Sequence, residues 1–395
     1  MKVPQIFDRN MKRLAFLDNA VSVGYSLEIN SLWTATFTLP ADDDKNAYCQ
    51  PLNFVEIFDG DERIDLFRII GEDLERSNGA TRFYDCEHVL ATLLSDVLFQ
   101  YHQYGGGGIK TADVLNYVLA RQTTRNWVLG DCDFKRYFEY NWENSTLLAA
   151  LFAVPECFDS EYMWTWDTTV YPWTISLVAP SDTMKSEVRY AKNMTSMKKT
   201  VDASGIANRI YALGYGEGVN QLTIAGVNGG KPYVEDAMSI QQYGLCSTIL
   251  VDSRYEVAEN LKGYAEQMLA ELKNPYVSYE IGAIDLHRLT GDTFSKFRPG
   301  EIVRVVDEAD GINLRTRIVS VEKSDAQGDP GSVTVTIANK SKDIAGSISE
   351  LQNRALINET YAQGATNQQI YNFTDNADAT HPATLKLYIS DSVVR

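Results

Sequence analysis

Alternation of apolar and polar residues with a period of two is the dominant pattern along this chain. It is clearest in EIVRVVDEADGINLRTRIVSVEK, residues 301–323, where two alternating runs flank a polar turn. Successive side chains of a strand point to opposite faces of a sheet, so these runs predict a β-hairpin with one face toward a core. The run SVTVTIANK follows and predicts a third strand of the same meander.

A second meander is predicted at the other end of the chain. Residues 21–40 and 53–87 alternate in the same way, and Asp59-Gly60-Asp61 and Ser77-Asn78-Gly79 are typical hairpin turns. The run HVLATLLSDVLF then predicts an apolar helix, and four consecutive glycines at 105–108 interrupt the pattern.

Helical patterns occupy the middle of the chain. TADVLNYVLAR predicts a short helix with Thr111 as its N-cap, and NSTLLAALF predicts another. The clearest helix has Ser253 and Glu256 as a capping box, followed by apolar residues at 3.6-residue spacing as far as Pro275. The strand-like run YFEYNW lies between the first two helices and YMWTWDTTVYPWTISLV follows the second, which indicates a small α/β module.

These elements predict an α+β fold. It consists of two barrel-like antiparallel β domains with inserted small α/β domains and a C-terminal helix. At 395 residues the chain is too long for one ordinary core. The predicted parts are a first β domain at 1–102, completed by parts of 190–215 and 296–342; a peripheral α/β domain at 103–190; a second β domain at 191–295 with a helix at 253–274; a closing meander at 296–342; and a C-terminal helix and extended connector at 343–395.

The net charge of −17 disfavours tight binding of nucleic acid or anionic lipid. No stretch approaches the roughly 20 apolar residues that span a bilayer, so stable membrane insertion is not expected. The cysteines are five in number and far apart, which predicts scattered reduced thiols rather than disulfides or a zinc site: Cys49, Cys86, Cys132, Cys157 and Cys246.

Glycine-rich and histidine signals for enzymatic chemistry are weak. Gly214-Tyr215-Gly216-Glu217-Gly218 follows a strand but precedes another strand-like run, so a hairpin loop is favoured over a dinucleotide site. GGGGIKT at 105–111 lacks the GK[ST] dipeptide and is interpreted as a linker. The histidines are scattered without HExxH spacing: His88, His102, His287 and His381. No cofactor and no metal are therefore predicted.

Two further groups leave alternatives open. The acidic runs Asp42-Asp43-Asp44 and Asp307-Glu308 lie in turn-like segments, where solvated carboxylates are more usual than a glycosidase pair. The aromatic residues Trp164, Trp166, Tyr171 and Trp173 are spaced as in a hairpin. They are expected to cover the core of a small module, with stacking on sugars as the alternative.

At residues 189–236 the sequence resembles the phage tail-tip family. The resemblance is carried by VRYAKNMTSMKKTVDASGIANRIYALGYGEG and by LTIAGVNGGKPYVED, of which NGGKPYVED is the most specific element. Three other segments agree: TADVLNYVLA followed by WVLGDCDF, FEYNWENSTLLAALF, and FRPGEIVRVVDEADGINLRTRIVSVEK followed by VTVTIANKSKDIAGSISELQ. The similarity covers about residues 1–355 of the chain. The family includes prophage tail and tail-associated lysin proteins and is similar to the hub of contractile-tail baseplates.

The resemblance implies a structural, non-enzymatic role as a homotrimeric hub at the distal end of the tail tube, assembled in the host cytoplasm. Its implied partners are a hexamer of distal tail protein, the tape-measure protein and distal fibre, spike or receptor-binding components. The tape-measure protein and DNA would pass through its channel without specific binding of the DNA.

Two sets of residues are predicted to make contacts in such a ring. Ile344, Ile348, Leu351 and Ala355 follow the 4-3-4 spacing of a coiled coil and would gather three chains on the axis. Arg304, Arg315 and Arg317 are candidates for contacts with another subunit or with the tube. A tail-associated peptidoglycan hydrolase and a carbohydrate-binding receptor adhesin remain the alternative functions.

Overall fold

Antiparallel strands dominate the computed structural model, which describes residues 2–76, 79–291 and 296–338. The strands that form the N-terminal β region, here called the first β region, are β1 Gln5–Phe7, β2 Arg13–Phe16, β3 Ser22–Glu28, β4 Thr34–Pro40, β5 Phe54–Asp59, β6 Glu62–Glu75 and β7 Thr81–His88. Their order in the sheet is β3-β4-β7-β6-β5-β1-β2. The predicted α+β class is confirmed.

The first β region encloses an aromatic core. Phe37 and Phe67 are fully buried in it, and the ring of Phe37 stacks on Tyr84 with 4.7 Å between centroids. Burial of each such side chain contributes roughly 1.5–3 kcal/mol. The predicted turn at Asp59-Gly60-Asp61 joins β5 to β6, and Gly60 has a positive φ of 68° there.

A small α/β insert follows. Its elements are β8 Val97–Gly105, α1 Thr111–Leu119, β9 Trp127–Cys132, β10 Glu139–Thr146, α2 Leu147–Phe152, β11 Met163–Asp167 and β12 Trp173–Val178. β8 pairs with β10, and β12 lies between β11 and β9, with β9 parallel to it. Leu115 of α1, Trp127 and Leu151 of α2 are buried. The helices and the parallel pair agree with the predicted α/β module.

The second β region is formed by strands that are distant along the chain. They are β13 Met184–Arg189, β14 Met194–Asp202, β18 Tyr276–Ile284, β19 Ile302–Asp307, β20 Ile312–Lys323 and β21 Ser332–Ala338, with the short helix α5 His287–Thr290 after β18. Its core contains Val303, Val305, Ile318 and Val335. The predicted hairpin at 301–323 is present as the antiparallel pair β19–β20.

Residues 207–269 form a separate compact unit, whereas 2–206 and 270–338 belong to one larger unit. The elements that begin in the smaller unit are β15 Arg209–Leu213, β16 Tyr233–Glu235, α3 Ala237–Tyr243, β17 Ser247–Val251 and α4 Ala258–Leu272. β15 pairs with β16 and runs parallel to β17. Within the described ranges no helix is long and apolar enough to cross a bilayer.

The two β regions share one hydrogen-bonded sheet path because β20 pairs with β3. The close approach requires Gly24, since a Cβ there would lie 2.8 Å from the carbonyl oxygen of Ser324. In the turn after β20, the Ala326 N–H donates to the carbonyl of Val23 at 2.7 Å, and Ala326 is buried in the first core. β20, within 296–342, thus pairs with the first β region, and β14 and β15, within 190–215, pair with other strands. The domain boundaries stay a prediction.

Lys323, at the end of β20, is the buried cation of this junction. Its Nζ donates to Asp59 at 2.7 Å, to Asp285 at 2.8 Å and to the carbonyl of Pro330 at 3.0 Å, so its three donors are used. Tyr25 also donates to Asp59 at 3.0 Å, and burial, followed by the charge of Asp59, raises the pKa of Tyr25. Asp59 is the last residue of β5 and Asp285 follows β18, so the Lys323 side chain connects the two β regions.

Several sequence predictions differ from the structure or lie outside it. The N-cap of α1 is Lys110, and Thr111, the predicted N-cap, is the first residue of the helix. The run HVLATLLSDVLF forms a 3₁₀ helix at Val89–Leu94 and then enters β8, instead of forming one helix. The helix predicted at 253–274 begins only at Ala258, because Asp252 accepts from the Arg254 backbone N–H at 3.0 Å and holds Ser253 in a turn. The C-terminal helix and connector at 343–395 lie outside the described residues, and the described strands form an open path without a closed barrel.

Replacing Lys323 with methionine tests this junction. Lys323→Met leaves Asp59 and Asp285 buried without their cation, and we expect a loss of about 3–5 kcal/mol in the free energy of unfolding. Urea denaturation followed by circular dichroism measures it. The matched control is Lys198→Met on β14, whose side chain is 74% exposed and pairs with Glu280 at 3.7 Å; there we expect less than about 1 kcal/mol. Equal stability of the two variants would contradict the role assigned to Lys323.

Candidate functional site

A cavity of about 540 Å³, here called the junction cavity, lies among the first β region, the β11–β12 hairpin and the second β region. Its walls combine aromatic and charged side chains, among them Trp33, Glu62, Arg63, Asp65, Trp166 and Lys296. Such a mixture could serve catalysis, binding or the internal connection of the three parts. The hydrogen-bond partners of the charged groups decide among these.

Arg63 and Asp65 form the centre of one buried network. Asp65 Oδ1 accepts from the Leu66 N–H at 2.8 Å, from Arg63 Nη1 at 3.3 Å and from the Thr168 hydroxyl. Arg63 Nη2 donates to the same hydroxyl of Thr168 at 2.8 Å. Thr168 lies in the turn of the β11–β12 hairpin, so this network attaches the insert to β6.

The carboxylates of this wall are held in the ionised form. Burial tends to raise the pKa of Asp65, but His88, Thr168 and Arg63 together hold it below its usual range. Burial also opposes ionisation of Glu62, whose pKa is lowered by Lys296 and Arg298. A general acid requires a raised pKa, so neither carboxyl group is suited to protonate a leaving group.

Of the two histidines whose ring contacts are described, His88 is enclosed in the core, and both ring nitrogens of His102 contact neighbouring groups. His88 is fully buried; Nδ1 accepts from the Leu90 N–H at 3.1 Å, and Nε2 lies 3.4 Å from Asp65 Oδ2. His102 Nε2 lies 3.1 Å from the Phe99 carbonyl, and its Nδ1 lies 2.9 Å from the Tyr117 hydroxyl. Neither ring presents a lone pair to a substrate, as a general base must.

Three of the cysteines, Cys49, Cys86 and Cys132, are not activated nucleophiles either. All five are free thiols, as predicted. Burial raises the pKa of Cys49 to about 12 and also raises the pKa values of Cys86 and Cys132. A reactive cysteine needs a lowered pKa. In the described part of the chain no three His, Cys, Asp or Glu side chains cluster as metal ligands would.

The acidic and glycine-rich segments adopt turn structures. The Asp307 side chain accepts from the Ala309 N–H at 3.0 Å and from the Asp310 N–H at 3.3 Å, which makes it a turn residue. Asp43 caps the 3₁₀ helix at Asp44–Tyr48. In the glycine-rich loop at 214–218, the Gly214 N–H donates to the Leu222 carbonyl at 2.8 Å. The chain thus folds back on itself there, as expected of a hairpin loop.

The aromatic hairpin covers a core, as the spacing predicts. β11 and β12 pair in register, and Trp164 and Trp173 are buried. Trp166 packs edge-on against Trp33 with 4.7 Å between ring centroids. Tyr171 is the exposed member of the group. Stacking of a sugar on the three tryptophans is therefore disfavoured.

The three arginines predicted to contact other chains have partners within this chain. Arg317 donates to the carbonyls of Ser181 and Gly300 and to the carboxylates of Glu161 and Asp182, and only 17% of its side chain is exposed. These contacts attach the end of the insert to β20, which sequence spacing does not reveal.

Arg315 reinforces the same attachment by donating to the backbone carbonyl of Asp182. Arg304 Nε donates to Asn313 at 3.1 Å, and its side chain is 40% exposed. Contacts of these arginines with another subunit stay a prediction. Ile344, Ile348, Leu351 and Ala355 lie outside the described residues.

Two family models match the sequence. One, described as prophage endopeptidase tail, matches residues 181–348, and the other, described as prophage endopeptidase tail domain, matches residues 106–172. Together these ranges cover more than half of the chain. Two separate segments of the chain thus match models of prophage tail proteins, as the sequence resemblance implies. No curated protein matches its sequence.

Solved structures of tail proteins share the fold of this chain. The chain is similar to the prophage tail protein gp18 from Listeria monocytogenes, with a TM-score of 0.60, 15% identity, and coverage of 90% of this chain and 99% of that one. A tail protein from Neisseria meningitidis has a TM-score of 0.61 and 11% identity, with coverage of 85% of this chain and 96% of that one. The 43 kDa tail protein of prophage MuSo2 from Shewanella oneidensis has a TM-score of 0.60 and 14% identity, with coverage of 87% of this chain and 98% of that one. At these identities the likeness establishes the fold alone.

Asp65→Asn tests the pH dependence of the junction cavity. The folded-state pKa of Asp65 is depressed. The ionised carboxylate therefore contributes to the free energy of unfolding above the unfolded-state pKa of about 3.9. This contribution is lost as pH falls through the lower folded-state pKa. We expect Asp65→Asn to lower the free energy of unfolding by about 3 kcal/mol at pH 7. The difference from the unchanged protein should shrink as pH falls below about 4.

Urea midpoints measured between pH 7 and pH 3 check this expectation. Asp131→Asn is the matched control, because Asp131 is an exposed carboxylate of the insert and its loss should change stability by less than about 0.5 kcal/mol. A pH-independent difference for Asp65→Asn would show that the ionised carboxylate is not the stabilising group.

Proposed function

We propose that this prophage tail protein is the homotrimeric hub that closes the distal end of the tail tube and forms the exit channel for tape-measure protein and DNA. The observation that carries the proposal is the presence of two mainly antiparallel β regions, each with its own core, joined through one continuous sheet path. Three such chains present six β regions, which matches the symmetry of a hexameric tube ring.

The edges of the sheet support self-association. β14 and β2 stand at the two ends of the strand order, and among the described strands each pairs on one side only. Open edges have unpaired backbone N–H and C=O groups that another chain can cover. Different edges at the two ends suit a head-to-tail arrangement, which closes into a ring under threefold rotation.

Charge and chemistry support a conduit. A net charge of −17 repels DNA phosphates, which favours passage over retention. Charged groups of the junction cavity are paired with one another. The described histidine rings and the thiols of Cys49, Cys86 and Cys132 lack the features of a catalytic base or nucleophile. A structural role therefore agrees better with these residues than the endopeptidase of the family description.

In this proposal the hub has four kinds of partner. The distal tail protein hexamer lies on the tube side, the tape-measure protein and DNA pass through the channel, and fibre or spike components bind distally. Ile344, Ile348, Leu351 and Ala355 are proposed to bring the three chains together on the axis. Arg304 and Arg315 are proposed to contribute to contacts with a neighbouring subunit or the tube, whereas Arg317 is mainly engaged within its own chain.

A mass measurement tests the trimer and its axis. Light scattering after size exclusion should give three times the chain mass of 44.3 kDa. Ile348→Asp places a charge in the proposed axial contact, and we expect it to shift the protein toward monomer while the unfolding temperature changes little. Ser349→Asp, at the neighbouring position outside the 4-3-4 pattern, is the control and should remain trimeric.

One result would contradict the hub itself, and another would contradict only its axial contact. A protein that remains monomeric both alone and in the presence of tail-tube rings would exclude a trimeric hub. A trimer of unchanged stability in Ile348→Asp would keep the hub but remove the proposed axial contact.

A further inference from the structure

A second cleft of about 540 Å³ opens on the other side of the β11–β12 hairpin, and it is here called the Tyr171 cleft. It lies between the β1–β2 turn, the segment before β5 and the insert loop at 123–126. Its lining includes Arg9, Asn10, Leu52, Thr124, Asn126 and Tyr171. Its volume lies within the range of small-ligand sites in proteins.

One side of the Tyr171 cleft is an aromatic surface. Tyr171 is 55% exposed, and Trp173 beneath it is 1% exposed, with 5.6 Å between their ring centroids. Phe54 packs edge-on against Trp173 at 5.7 Å. The Tyr171 hydroxyl donates to Asn126 Oδ1 at 3.1 Å, which fixes the ring beside the cleft. A rigid, half-exposed ring supported by a buried aromatic pair can stack on a ligand at little entropic cost.

The Tyr171 cleft is also lined by polar side chains that form no hydrogen bond or ion pair within the described protein. The side chains of Arg9, Asn10 and Thr124 line the cleft and make no hydrogen bond or ion pair with another described residue. The charged groups of the junction cavity, by contrast, are paired with each other. The Tyr171 cleft therefore has donors and acceptors available for a ligand.

The backbone around the Tyr171 cleft is held in costly conformations. Met11 and Leu52, which both line it, have φ angles of 61° and 65°, and Arg125, between two lining residues, has a φ of 48°. The left-handed region costs a residue with a Cβ roughly 1–2 kcal/mol. Residues in such conformations concentrate at ligand sites, where the surrounding structure enforces them.

We propose that the Tyr171 cleft binds a saccharide. A sugar ring has an apolar C–H face that packs on an exposed aromatic ring, and hydroxyl groups at its edge that both donate and accept. The free groups match that edge, since an amide both donates and accepts, a hydroxyl does the same, and a guanidinium donates. The aromatic hairpin thus takes part in sugar binding through its one exposed ring, although its tryptophans serve the core.

Other ligand classes fit the Tyr171 cleft less well. A nucleotide or another phosphate ligand would need several free cations, whereas Arg9 is free but Arg68 donates through Nε to Glu87 at 2.7 Å. A peptide adding to a sheet would need an open strand edge, but β5, β6 and β12, the strands that contribute to the lining, each pair with two neighbouring strands. A neutral or weakly anionic sugar agrees with both the single free cation among these described groups and the aromatic surface.

Saturation-transfer NMR on the full chain tests this proposal. The probes are glucose, galactose, rhamnose and N-acetylglucosamine, each at millimolar concentration. We expect at least one to receive saturation from the unchanged protein, and Tyr171→Ala to weaken its binding about fivefold or more. Tyr171→Phe keeps the ring and should retain most of the binding. Asn10→Ala, in an exposed turn, should weaken binding without a change in unfolding temperature.

Tyr137→Ala is the matched control, because Tyr137 is also 55% exposed but does not line the Tyr171 cleft. It should bind the sugar as the unchanged protein does. The proposal is overturned if none of the four sugars binds, or if Tyr171→Ala and Tyr137→Ala affect binding equally. Neither outcome depends on the oligomeric state of the protein.

Discussion

The contact of Lys323 with Asp59 and Asp285 is the constraint on which the arrangement of the two β regions depends. Lys323 is 2% exposed, and each carboxylate belongs to a different β region. A buried ion pair contributes little net stability compared with an apolar pair, but the loss of one partner is costly. The three groups therefore favour the one register of β20 against β3 in which they meet. Gly24 and Ala326 make that register sterically possible.

The insert is attached to this frame by polar contacts at both ends of its last hairpin. Thr168 joins the turn of that hairpin to Arg63 and Asp65, and Arg317 binds the carbonyl of Ser181 just beyond it. The charged side chains Arg63, Asp65 and Arg317 are used in this way. Their function is to hold parts of the chain together, which agrees with a structural component of a tail.

Much of the fold could be predicted from the sequence, because strand alternation and turn residues are local signals. The β19–β20 hairpin and the turn at Gly60 are examples. The role of Lys323 could not be predicted, since its partners lie 264 and 38 residues away along the chain. The helix predicted from Ser253 begins later because the Asp252 side chain competes for the backbone. The sequence indicates the Tyr171 cleft only through Tyr171 itself, because the other residues that line the cleft are distant along the chain.

The central claim is that this chain forms a threefold ring at the distal end of the tail tube. Cryo-electron microscopy of intact phage particles, with an antibody fragment bound to this protein, tests it most directly. The account predicts three bound fragments per particle, at the tip of the tail and related by a threefold axis. Fragments spaced along the tube, or six equivalent fragments in one ring, would contradict it.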